Sequence, residues 1–213
     1  MTHPGLSAED EAAIRGAVEL AERESGAELV PVLAESSDGY AVADWRAAAV
    51  GAFLGAVVGS LGLGGGGWGG ASRWTAPFAA AAGALLALTA AAVPAVRRAL
   101  SGRAELDRRV DAAAAGEFLR HEVFRTRDRS GILIYVSLFE RRVRVIADEG
   151  VYRALAKPAW DELANAVAAE MRSRPPASAL LEAVRRASAL VGEHGPRRRA
   201  DDVNELPDAP LAT

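Results

Sequence analysis

SGILIYVSLFERRVRVIADEGV, residues 130–151, is the stretch whose reading decides the fold. Residues 131–138 form an unbroken apolar run, which suits a strand covered on both faces. Glu140-Arg141 is polar and turns the chain. Residues 142–148 then alternate, Arg142, Val143, Arg144, Val145, as a half-exposed strand does. Two such strands joined by a short turn make an antiparallel pair. One buried and one half-exposed strand imply a sheet with helices packed on it.

The flanking sequence supplies those helices. Residues 7–24 carry a capping-box-like start at Ser7 and Asp10, with Ile14, Val18 and Ala21 on one face. Residues 27–34 read as a strand; Pro31 has no amide for a ladder, which places it at an edge or bulge. Residues 103–124 make an amphipathic helix with Leu106, Val110, Ala114 and Phe118 inward, and His121 beside that seam. A helix starts at Lys157-Pro158 and runs to about residue 172, and a last one covers residues 178–193. From residue 195 the chain is polar and proline-bearing, and a flexible tail is expected.

Between the first strand and the 103–124 helix lie two segments of another kind, residues 45–63 and 74–96. Each is about long enough to cross a hydrocarbon core of roughly 30 Å. Neither holds an acid, and Trp45, Trp68 and Trp74 stand where water boundaries would fall. Gly51, Gly55 and Gly59 repeat every four residues in the first segment, as do Ala79, Gly83 and Ala87 in the second. That spacing puts each set on one helix face, and small faces let two helix backbones approach in lipid. A hairpin packed on itself is the first reading and a self-associating homo-oligomer face the second. Arg97, Arg98, Arg103, Arg108 and Arg109 follow the second segment, whereas the connector carries only Arg73. The positive-inside rule then puts both flanks in the cytoplasm. The expected location is the inner (plasma) membrane.

The expected organisation is therefore an α/β domain with a small mixed sheet, interrupted by a two-helix transmembrane hairpin. Its parts are residues 1–44 and 97–194 for the domain, 45–96 for the hairpin, and 195–213 for the tail. Cysteine is absent, which excludes thiolate chemistry and disulfides. A net charge of −3 is not that of a chain held to nucleic acid by bulk charge.

The soluble parts resemble the TPM domain family, over residues 7–40 and 103–193. The resemblance rests on the order of elements, on ESGAELVPVLA, on the 130–151 block, and on the tail NELPD at residues 204–208. It implies the α/β fold, and either a module for assembly or maintenance of membrane proteins or a divalent-metal phosphatase of the plastid type. Where the family shows an Asp/Asn-Asn-Gly turn before the buried strand, this chain has Asp128-Arg129-Ser130-Gly131; where it favours Gly-x-Gly after the hairpin of strands, this chain has Asp148-Glu149-Gly150.

Topology nevertheless brings acids together. The buried strand begins after Asp128 and its antiparallel neighbour ends at Asp148-Glu149, so these three share one sheet edge as oxygen ligands for calcium or magnesium. The competing reading pairs them with Arg125, Arg127, Arg129 and Arg153 as ion pairs of small worth. No other cofactor is expected. The expected partners are the bilayer and a membrane protein.

Overall fold

In a computed structural model the structure describes residues 6–61, 74–171, 175–195 and 204–212. The chain divides into two compact units, residues 1–38 with 107–213, and residues 39–106.

The first unit is built on a mixed four-stranded sheet in the order β3-β2-β1-β4. β1 (Glu28–Ala34) and β2 (Gly131–Ser137) run parallel, with Glu28 opposite Gly131 and Ala34 opposite Ser137. β3 (Arg142–Ala147) returns antiparallel to β2, with Ser137 opposite Arg142. Both central strands are buried along their whole length, whereas β3 alternates less strictly and is half-exposed. That difference follows from the unbroken apolar run of β2 and the arginines at alternate positions of β3.

Helices cover both faces. On one side α1 (Ala8–Glu24), α7 (Lys157–Glu170) and α8 (Pro176–His194) enclose Ile14, Val18, Leu29, Ile132, Ile134, Trp160, Leu180 and Val184. α1 starts with a full capping box, since the Ser7 hydroxyl accepts from the Asp10 amide and the Asp10 carboxylate accepts from Ser7. On the other side α5 (Arg103–Arg120) sets Val110 and Ala114 against Val30, Val32, Leu133 and Tyr135. Arg142 and Arg144 on β3 grip Asp107 of this helix at 2.8 and 3.1 Å, and Arg144 also pairs with Asp111. Although burial alone would raise it, the two arginines hold the Asp107 carboxyl below its ordinary value.

Three features differ from the sequence reading here. The helix expected over residues 103–124 ends at Arg120, and Val123–Arg125 form a separate 3-10 turn after Glu122, whose left-handed backbone breaks the helix. A short helix, α6 (Glu149–Ala154), follows β3 directly. The tail is not wholly free either: residues 204–212 lie on the sheet and end in β4 (Leu211–Ala212), paired parallel to Val32 and Leu33 of β1. Two paired residues are too few to leave a periodicity in sequence.

The second unit holds α2 (Ala41–Ser60), α3 (Thr75–Ala91) and α4 (Pro94–Ser101). The first predicted segment, residues 45–63, corresponds to α2, which starts one turn earlier and ends at Ser60; residues 62–63 lie outside the described residues. The second is not one helix to residue 96: α3 stops at Ala91 and α4 leaves it at 103°. Pro94 causes the break, because it has no amide for the preceding carbonyls and serves instead at the first position of α4.

Candidate functional site

The C-terminal ends of the parallel strands β1 and β2 lie at one sheet edge, the place where open α/β sheets usually receive ligands. The chain continues there from β1 into Ser36 and Ser37, and from β2 into the turn before β3. Glu140 of that turn is only 2% exposed. Its carboxylate accepts from the Ser137 hydroxyl, from the Ser37 amide at 2.9 Å and from the Ser36 hydroxyl at 3.4 Å. The Ser37 hydroxyl donates to Ser137 Oγ at 3.1 Å and meets the Tyr135 hydroxyl at 3.0 Å. Each hydroxyl has a single proton, so the order is Tyr135 to Ser37 to Ser137 to Glu140.

Burial pushes the Tyr135 phenol above its ordinary value; its bond to Ser37 opposes the shift, and the charges of Glu140 and Glu117 add to it. Glu117 of α5 is buried and held by His121 Nε2 and Arg120, each at 3.1 Å. Arg109 of α5 pairs with Asp38 at 3.0 Å. Chemically this cluster is a buried carboxylate with its donors in place. Ser137 is fully buried and its proton is committed to Glu140, so it is not presented as a nucleophile. The arrangement ties the segment after β1 to the β2–β3 turn. Sequence reading missed the role of Glu140, taking Glu140-Arg141 only as a polar turn. The available signal was the serine three residues before it and the serine pair after β1.

The opposite edge holds the predicted acids. The backbone does bring them together: the Gly150 amide donates to the Arg129 carbonyl at 2.9 Å, and a Cβ on Gly150 would overlap the Asp128 carbonyl oxygen. Their carboxylates go elsewhere. Asp148 caps α6 by accepting from the Glu149 amide at 2.7 Å, and pairs with Arg129 at 3.0 Å. Glu149 points out and pairs with Arg153 at 2.7 Å, which holds its carboxyl below the ordinary value. Asp128 is exposed. Among the described residues no three acids or histidines are gathered as a cation's ligand set. The reason Asp128, Asp148 and Glu149 do not form one is α6: a helix starting at Glu149 needs Asp148 as its cap and turns Glu149 outward.

In the second unit the small residues of α2 and α3 face one another. A Cβ on Gly51 would overlap the Gly83 carbonyl oxygen, and one on Gly55 the Ala79 carbonyl oxygen. One on Gly59 would stand 2.8 Å from the Ala79 Cβ, and Ala87 lies against Gly51. The large residues point away: Phe53, Leu54, Val58, Phe78, Leu85 and Leu86 are each about half exposed or more. Trp45 is 77% and Trp74 55% exposed, while Trp68 lies outside the described residues. α2 is long and apolar enough to cross a bilayer, and only 17% of its apolar stretch is buried in protein. α3 reaches that length only together with α4, across the bend. Asp44 of α2 and Arg97 of α4 pair at 3.1 Å.

No family model and no curated protein matches the chain. Among solved structures, the BA42 protein from the psychrophilic bacterium Bizionia argentinensis, determined by NMR, superposes with a TM-score of 0.58 at 17% identity, over 98% of this chain and 95% of that one. At that identity the likeness is one of fold, and the chain is similar to BA42 in its α/β architecture.

Proposed function

We propose that this chain is a membrane-anchored, non-enzymatic interaction module of the TPM type, serving the assembly or upkeep of membrane proteins. One observation carries the anchoring: α2 and α3 put glycine and alanine between them and leave phenylalanine, leucine and valine outside. A soluble hairpin buries its large apolar residues, because water penalises them by about 25 cal/mol per Å². A surrounding apolar solvent favours the inverse arrangement, and small inner faces are what close helix contact in lipid uses. Seventeen residues of α3 span about 25 Å, and α4, with Arg97 and Arg98, then turns at 103° to lie along the headgroups.

The arginine bias supports a cytoplasmic position for both flanks of the hairpin. The chain has no cysteine, so a single one placed at Ser7 or Ser178 reports unambiguously. In intact cells it should resist an impermeant thiol reagent, and react after lysis. Reaction in intact cells would reverse the orientation. The phosphatase alternative has no observation in its favour among the described residues. Chelator-sensitive hydrolysis of a chromogenic phosphate ester by the purified protein would restore it.

A further inference from the structure

Charge in the second unit is gathered at one end. Its described residues hold four arginines, Arg46, Arg97, Arg98 and Arg103, and two acids, Asp44 and Glu105. All six belong to the first turns of α2, to α4, or to the residues directly after α4. Residues 47–61 and 74–96 carry no charge at all. Two contacts hold that end together. Arg97 pairs with Asp44 at 3.1 Å, and Arg46 Nη1 reaches the Leu100 carbonyl at 3.5 Å. The second contact sets a cation at the C-terminal end of α4, where the helix dipole is negative.

α4 is amphipathic, and its apolar face is the outer one. Arg97 and Ser101, four residues apart, share the inner face, with Ser101 buried and Arg97 half-buried. Ala95, Val96 and Ala99 are exposed, as is Val93 just before the helix. An in-plane helix presents such a face to hydrocarbon and carries its cations at the level of the lipid phosphates. Trp45, exposed beside Arg46, suits the same water boundary. Arg97 is committed to Asp44, with Nε of one and Oδ1 of the other shut off from water. Arg46 and Arg103 are exposed.

We propose that this end of the second unit is a docking surface for anionic phospholipid, with Arg46, Arg98 and Arg103 around α4 meeting the headgroup phosphates. The proposal rests on the membrane reading above and names the lipid that the hairpin holds beside it. Charge complementarity selects the occupant. Four positive charges against two negative ones leave this end at +2. A zwitterionic lipid brings a phosphate together with its own cation, whereas an anionic lipid leaves the phosphate charge unopposed. Basic groups just beyond the end of a membrane helix attract that charge, and the planar fork of arginine suits the paired oxygens of a phosphate. A free phosphate would lack the acyl chains that cover an outward face such as that of Val93 and Val96.

Electron paramagnetic resonance of spin-labelled lipids tests this, with the full-length protein reconstituted in phosphatidylcholine vesicles at low salt. The share of label immobilised at the protein surface is compared for phosphatidylglycerol and phosphatidylcholine. The unaltered protein should prefer phosphatidylglycerol by at least about threefold. The triple variant Arg46→Gln, Arg98→Gln, Arg103→Gln should prefer it by less than about 1.5-fold. A second triple variant, Arg23→Gln, Arg125→Gln, Arg153→Gln, removes the same charge from exposed arginines of the first unit and should keep the full preference. If the first triple variant does not fold, Arg103→Gln alone decides the matter, and should bring the preference down to about twofold. Immobilised lipid without preference, or an equal loss in both triple variants, overturns this proposal and leaves the membrane reading standing. No immobilised lipid of either kind overturns both.

Discussion

The backbones of Gly55 on α2 and Gly83 on α3 meet with no side chain between them: a Cβ added to Gly83 would stand 3.2 Å from the Gly55 Cα. The same added atom on Gly55 would overlap the Ala79 carbonyl oxygen. The contact is made by main chain, so its partner cannot swing aside as a flexible side chain does. Val57, on the same helix, is 38% exposed.

Gly55→Leu should therefore force α2 and α3 apart, at a cost of at least about 1–3 kcal/mol. Val57→Leu should be tolerated, within about 0.5 kcal/mol. Denaturation of the detergent-solubilised protein, followed by helical circular dichroism, measures both. Equal stability of the two variants would remove the small-residue seam from the account.

Glu140 is the carboxylate that holds the segment after β1 to the β2–β3 turn. Glu140→Ala leaves the Ser137 hydroxyl and the Ser37 amide without their acceptor. The expected loss is about 2–4 kcal/mol, the scale of leaving buried donors unsatisfied. Glu140→Gln keeps one oxygen and nearly the same volume, and the serine hydroxyls can rotate to suit an amide. It should lose less than half as much in the same denaturation experiment. A Gln variant as unstable as the Ala variant would mean that charge, not hydrogen bonding, holds the turn.

Asp148 acts as the cap of α6 and the partner of Arg129. Asp148→Ala should cost about 1–2 kcal/mol, the usual price of a lost N-cap. Millimolar calcium should leave the melting temperature of the unaltered protein where it is. A calcium-induced rise that Asp148→Ala abolishes would show that Asp128, Asp148 and Glu149 bind the ion after all.

Much of this architecture was legible in the chain because it is local or periodic. Ser7 and Asp10 announce the start of α1, the unbroken run 131–138 announces a covered strand, and Gly51, Gly55 and Gly59 share a face at spacing four. What escaped is what sequence distance hides. The hydrogen bonds of Glu140 to Ser36 and Ser37 join positions more than a hundred residues apart. β4 has two residues, and its partner in β1 lies at the other end of the chain. Pro94 was visible but sat inside an apolar run whose length argued for one helix. The acids were placed at the correct sheet edge, yet the side chains could not be aimed without knowing that α6 begins at Glu149.

The central proposal is that α2 and α3 sit in lipid, and it rests on the exposure of their outward phenylalanine, leucine and valine side chains. Alkaline carbonate extraction of membranes from cells expressing the full chain tests it most directly, since it strips proteins bound by charge and leaves those embedded in hydrocarbon. The protein should remain in the membrane pellet, and Gly55→Leu should not change that, because the outer faces are untouched. Recovery of the unaltered protein in the supernatant would contradict the membrane reading and require the hairpin to be covered by protein instead.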